Sequence, residues 1–160
     1  NYAEAYTGRG LAKLGLKKYR KAIKDFNKAI KIPELNHNYI EALSGLGRTQ
    51  AALGNYTDAI KNFDKVIQEK PNYAQAHNAR GLAYIATGKY EEAIGDFEQA
   101  VQANPGYAEA YNNRGLALIA LGKCNEAIKD FNSALEINPN YVEALLHKAE
   151  VQSCITDGGV

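Results

Sequence analysis

The chain repeats itself. Segments beginning at Ile40, Ala74, Ala108 and Val142 align at intervals of 34 residues, and an earlier copy begins at Ala3, 37 residues before Ile40. A period of this size constrains the fold more than any composition could. Each unit is one supersecondary element that cannot bury its own apolar face, so neighbours must stack and share a continuous core.

Within a unit the punctuation predicts two helices. Gly54, Gly88 and Gly122 follow apolar runs where a left-handed residue ends a helix, and Pro71, Pro105 and Pro139 stop the helix after it. In the first copy Lys17 holds the glycine column. A side chain in that conformation costs about 1 kcal/mol, so a looser first turn is expected. Asn1, Asn38, Asn72 and Asn140 each stand three residues before Glu4, Glu41, Gln75 and Glu143, the spacing of a capping box. Gly10, Gly47, Gly81 and Gly115 lie inside first helices, where each costs about 1 kcal/mol against alanine, so close packing is the expected compensation. Ala149 fills that column in the last copy. The second helices answer with Ala22, Ala59, Ala93 and Ala127, then Phe26, Phe63, Phe97 and Phe131, then Ala29, Val66, Ala100 and Ala134.

This series of a bulky residue, a small residue, a glycine turn, the Ala, Phe, Ala column and a terminal proline resembles the tetratricopeptide repeat family over essentially the whole chain. The departures are His77 in a bulky column, Cys124 where Tyr19, Tyr56 and Tyr90 stand, and the displaced Pro33. The resemblance implies an all-α, right-handed superhelical solenoid of antiparallel helix pairs. Its repeats would span 3–37, 40–73, 74–107 and 108–141, followed by a capping helix over 142–154 and a frayed tail over 155–160. It also implies a protein-interaction module that takes a peptide or helix of a partner protein on the concave surface of the first helices, without catalysis.

The residues expected on the exposed arc of each first helix are Thr7, Gly8 and Leu11; Ser44, Gly45 and Arg48; Asn78, Ala79 and Leu82; Asn112, Asn113 and Leu116; and Leu146, His147 and Glu150. Asparagine both donates and accepts, which suits a peptide backbone. Arg48, Asn78, Asn112 and Asn113 are therefore the candidate binding residues, with Glu109 at the groove edge. The lysine, asparagine and arginine clamp by which members of the family hold acidic chaperone C-termini is not matched. In the last three copies Asn113 fits, but Leu82, Asn78, Glu143 and His147 occupy the other columns, and the first three copies fail at Thr7, Leu11, Gly45, Gln75 and Ala79.

Two charge patterns stand out. Arg9, Arg80 and Arg114 recur sixteen residues before Asp25, Asp96 and Asp130, and where the arginine column has Leu46 the aspartate column has Asn62, which predicts a helix-to-helix ion pair in three hairpins. Lys17, Lys21, Lys24, Lys28 and Lys31 step by four, three, four and three, one stripe along a helix, with Lys18 and Arg20 beside its start. Residues 1–37 carry nine Lys and Arg against three Asp and Glu, and the remainder ten against fifteen, which together give the net +1. Such a stripe suits an acidic protein, a phosphate-bearing partner or the acidic part of a second copy. Self-association through open solenoid ends is the alternative function. No nucleic-acid partner is expected from a chain of this net charge.

Catalytic constellations are missing from the pattern. Gly8, Gly10 and Gly15 lack the preceding strand of a phosphate loop, and His37, His77 and His147 lack metal-ligand spacing, so no enzyme activity, metal or cofactor is expected. His77 reads as a packed histidine and Cys124 as filler. Cys124 and Cys154 are too few for a disulfide framework, which favours a reducing compartment and the cytoplasm. No apolar run is long enough for a membrane span. A chain that opens on Asn1 and contains no methionine is expected to be a segment of a longer protein.

Overall fold

The computed structural model describes residues 2–32 and 37–157. Among them run nine helices and no strand: α1 (Tyr2–Gly15), α2 (Tyr19–Ile30), α3 (His37–Ala52), α4 (Tyr56–Glu69), α5 (Ala74–Ala86), α6 (Tyr90–Ala103), α7 (Ala108–Ala120), α8 (Cys124–Ile137) and α9 (Val142–Asp157). None is long and apolar enough to cross a membrane. Each helix packs on the next in the chain. The first helices of successive hairpins also approach closely, α1 with α3, α3 with α5, α5 with α7 and α7 with α9, whereas the backbones of the second helices stay farther apart. An array whose members approach on one side only bends toward that side, so α1, α3, α5, α7 and α9 line the inner surface.

The close approach within a hairpin comes from the small-residue columns. A Cβ added at Gly10, Gly47, Gly81 or Gly115 would lie 2.6–2.8 Å from the ring of Phe26, Phe63, Phe97 or Phe131 of the same hairpin. These four phenylalanines and the alanines at 22, 59, 93 and 127 are fully buried. Ala149, in the same column on α9, is exposed because no second helix follows α9 among the described residues.

The turns are alike in all four hairpins, contrary to the looser first turn expected. Lys17 takes φ 54°, beside 78°, 74° and 73° at Gly54, Gly88 and Gly122. The Lys18 amide donates to the Lys13 carbonyl at 2.8 Å, as Asn55, Lys89 and Lys123 donate to Gln50, Tyr84 and Leu118 at 2.9 Å. Two backbone hydrogen bonds and the stacked helices hold the lysine left-handed against its preference. The second helices end as the prolines require, since Lys70, Asn104 and Asn138 precede proline and are pushed into extended backbone.

The capping box expected at Asn72 and Gln75 does not form: α5 begins one residue later than the box needs, after Tyr73, as α7 begins after Tyr107, and neither N-cap side chain caps its helix. Asn38 lies within α3, which starts at His37. The asparagines that do bond locally, Asn104 and Asn138, accept from the Gly106 and Asn140 amides at 3.1 and 3.2 Å, closing the loops after α6 and α8. The displaced Pro33 and residues 158–160 of the tail lie outside the described residues; α9 runs through residues 155–157, which the frayed tail was expected to include.

Candidate functional site

The inner surface carries one repeated polar contact between adjacent first helices. The Asn113 amide donates to the Asn78 side-chain oxygen at 3.0 Å, and one step along, His147 Nδ1 lies 2.9 Å from the Asn112 side-chain oxygen. Both pairs are 35 residues apart and occupy the same two columns. One step back the columns hold Ser44 and Ala79, whose side chains are too short to meet, and there the surface opens into a groove of about 470 Å³.

Each wall of the groove has a different character. Arg48 stands exposed on α3, Gln75 and Asn78 come from α5 beside Leu82, and Tyr107 and Glu109 close the far side. The Asn78 amide donates to both the Tyr107 hydroxyl and Glu109 Oε1, at 3.2 Å each. The Tyr107 hydroxyl is held protonated to higher pH than usual, first by burial and then by the neighbouring charge of Glu109. The groove thus offers a cation at one wall, a carboxylate at the other and an apolar stretch between them, a layout that can orient a chain of mixed character.

The structure brings Arg48, Asn78 and Glu109 together in this groove and connects Asn113 to it through Asn78. Asn112 stands apart, paired with His147 of α9. The three asparagines are not on an exposed arc: Asn78, Asn112 and Asn113 are 3%, 3% and 6% exposed. The columns are inner-facing, but adjacent first helices approach closely enough to cover them, so their amides serve one another before any ligand. Tyr107 was missed by sequence reasoning. A tyrosine recurs at Tyr39, Tyr73, Tyr107 and Tyr141 with the period of the repeat, and that column was the available signal.

The lysine stripe is divided in the structure. Lys17 belongs to the first turn, Lys21, Lys24 and Lys31 are exposed on or just past α2, and Lys28 Nζ sits 5.2 Å from the centre of the Tyr6 ring.

The arginine and aspartate columns pair as their covariation predicts. Arg9, Arg80 and Arg114 each grip Asp25, Asp96 and Asp130 through two hydrogen bonds of 2.6–2.8 Å. In the hairpin that lacks the pair, the Asn62 amide donates to Gln50 at 2.5 Å. Lys13 also reaches Asp25, and Arg80 reaches Asp64 of the preceding hairpin at 2.6 Å. His77 is buried, with Nδ1 3.2 Å from Asp96 and Nε2 2.7 Å from the Pro71 carbonyl. These contacts tie helices together and leave the groove alone. Cys124 is buried among Leu118, Phe131 and Val151, and it is disulfide-bonded, which a count of two cysteines did not lead one to expect. Among the described residues no group of three or more His, Cys, Asp or Glu could hold a metal.

Family models described as tetratricopeptide repeat match residues 1–68, 44–108 and 79–142. No curated protein sequence matches the chain. Among solved structures, the second TPR domain of human RPAP3 in complex with the HSP70 peptide SGPTIEEVD is 32% identical, covering 66% of this chain and 88% of that one, with a TM-score of 0.65. The first TPR of Spaghetti (RPAP3), bound to the HSP90 peptide SRMEEVD, is 29% identical over 78% of this chain and 98% of that one, with a TM-score of 0.73. MamA protein is 24% identical over 97% of this chain and 83% of that one, with a TM-score of 0.83, a likeness of fold.

Proposed function

We propose that this chain, which belongs to the tetratricopeptide repeat family, binds an extended peptide of a partner protein in the groove between its second and third hairpins. The fold of this family is typically a non-catalytic interaction fold. The observation that carries the reading is the opening at Ser44 and Ala79, while the next two steps of the inner surface toward α9 are closed by Asn78 with Asn113 and by Asn112 with His147. Arg48 and Glu109 then contact the ligand directly, while Asn78 and Asn113 hold the floor. The peptide-bound relatives support a peptide as the ligand class. Their chaperone C-termini are not the proposed ligand, because Leu82, Asn78, Glu143 and His147 stand where the clamp needs asparagine, two lysines and arginine.

The test is a displayed library of random peptides selected on the intact chain and then offered to Ala79→Trp, whose indole fills the opening. Selected peptides should bind the parent and lose at least about tenfold in affinity on the variant, with the helical circular-dichroism spectrum unchanged. Equal binding to both proteins would remove the groove as the site.

A second reading has its own observation. Val142, Leu145 and Leu146 of α9 are 59%, 48% and 57% exposed, an apolar edge at the end of the array, so the scaffold alternative has the chain associating there with a second copy. Leu145 is left exposed because among the described residues no second helix covers that face. Sedimentation across a hundredfold concentration range decides it: a monomer throughout ends this alternative.

A further inference from the structure

The groove does not end at Arg48. The same arginine borders a recess of about 460 Å³ that runs over Leu11 and Leu14 of α1 to Lys17 and Tyr19. Lys17 and Tyr19 in turn edge a hollow of about 400 Å³ walled by Lys18, Arg20, Lys21 and Leu53. Three depressions that share residues in sequence form one track, from Glu109 at the third and fourth hairpins to the turn of the first.

Charge changes along this track. Glu109 stands at one end, and Arg48, Lys17, Lys18, Arg20 and Lys21 follow toward the other. None of these five cations enters an ion pair among the described residues. Among the described residues of the first hairpin, the buried carboxylate Asp25 is already taken by Arg9 and Lys13. Lys17 is held at the head of the cluster by the same backbone hydrogen bonds that close the glycine turns, so its place does not depend on a ligand. Cations crowded on one side of a hollow repel one another, and an anion laid among them relieves that repulsion.

Resting on the groove reading, we infer that the bound peptide continues past Arg48 and lays an acidic flank into a cationic subsite formed by Lys17, Lys18, Arg20 and Lys21. The occupant is an acidic peptide rather than a nucleic acid. A uniform polyanion following the track would run into Glu109, and its phosphates would gain nothing from Leu11, Leu14 and Leu53, which a peptide with apolar residues between its acids would cover.

The probe is a fluorescein-labelled hexaglutamate peptide, followed by polarisation on the intact chain, with hexaglutamine as the neutral control. Hexaglutamate should bind and hexaglutamine should not, and the affinity should fall at least about fivefold between roughly 50 and 500 mM salt as screening shortens. The triple variant Lys17→Gly, Lys18→Gln, Lys21→Gln should weaken binding about tenfold; glycine at 17 suits the left-handed turn and keeps it closed. Lys24→Gln, Lys28→Gln, Lys31→Gln removes the same charge from the rest of the stripe and should change affinity less than about twofold. Equal losses in the two triples, binding indifferent to salt, no binding at all, or tighter binding of an oligothymidylate of equal charge would each overturn the inference. Ala79→Trp separates the two proposals. It should leave hexaglutamate bound while releasing library peptides; if hexaglutamate fails as well, the probe is seated in the groove and the separate subsite falls.

Discussion

At the scale of single residues, the three arginine–aspartate pairs are chemically alike but differently backed. Asp130 has Arg114 as its only charged partner among the described residues, whereas Asp25 keeps Lys13 when Arg9 is removed, and Asp96 keeps its contact with the His77 ring nitrogen. Removing one member of a buried pair leaves the other charge uncompensated, so Arg114→Ala should destabilise the chain by about 3 kcal/mol in urea unfolding. Arg9→Ala should cost clearly less, and the order of the two is the test. Acid should reach Asp25 late. The hydrogen bonds from Arg9 hold its carboxyl at about 2, below its ordinary 3.8, with Lys13 adding to the effect against burial. A carboxylate with a lowered folded-state pKa contributes stability that is fully present above the unfolded value and lost as pH falls through the folded one. The melting-temperature gap between the parent and Asp25→Asn should therefore be constant above about pH 5 and close between pH 4 and 2. A gap that does not narrow would mean the carboxylate is not held by these cations. The pairing itself was legible in the sequence because both partners change together, as Leu46 and Asn62 do. The burial of the asparagines was not, since a column says which way a residue points but not how near the next helix comes.

At the scale of the helix, glycine has two opposite meanings here. Gly81 is packed against Phe97, where a Cβ would approach to 2.7 Å, while Gly95 of α6 is exposed with nothing within 4 Å. Gly81→Ala should cost about 1–3 kcal/mol through overpacking, which exceeds the gain in helix propensity. Gly95→Ala should stabilise by about 0.5–1 kcal/mol. Thermal unfolding of the two variants checks both signs. Helix number, pairing and the Ala and Phe columns could be read from the period, because packing partners recur at fixed offsets. Helix starts could not. The Asn-to-Glu spacing of a capping box is present at Asn72 and Gln75, yet α5 begins after Tyr73, whose ring packs into the core cluster of Leu43 and Val66. Tertiary burial of the tyrosine decided the boundary over the local capping motif.

At the scale of the whole array, α9 closes what the fourth hairpin leaves open. Val151 is 2% exposed and packs with Leu118 and Phe131, and Ala144 is fully buried. Truncation after Tyr141 removes Ala144 and Val151, should uncover Leu118 and Phe131, and should forfeit roughly 3 kcal/mol of apolar burial. At about 3 °C per kcal/mol, the melting temperature should fall by about 10 °C, with light scattering rising as the new face self-associates. An unchanged melting temperature would mean that the helix is an appendage. The groove was only half legible at this scale. Its residues lie in the right columns, but its position depends on which columns fail to meet, and that comparison needs the 35-residue offset between stacked helices.

The short pair at Ser44 and Ala79 also bears on how such chains diversify. On the proposed groove reading, the recognition surface can be relocated by four substitutions, asparagines at 44 and 79 to close it and small residues at 78 and 113 to reopen it. It can equally be doubled by copying one unit. On that reading specificity is written as spacing, and a lineage could change what it recognises without rebuilding a single hairpin.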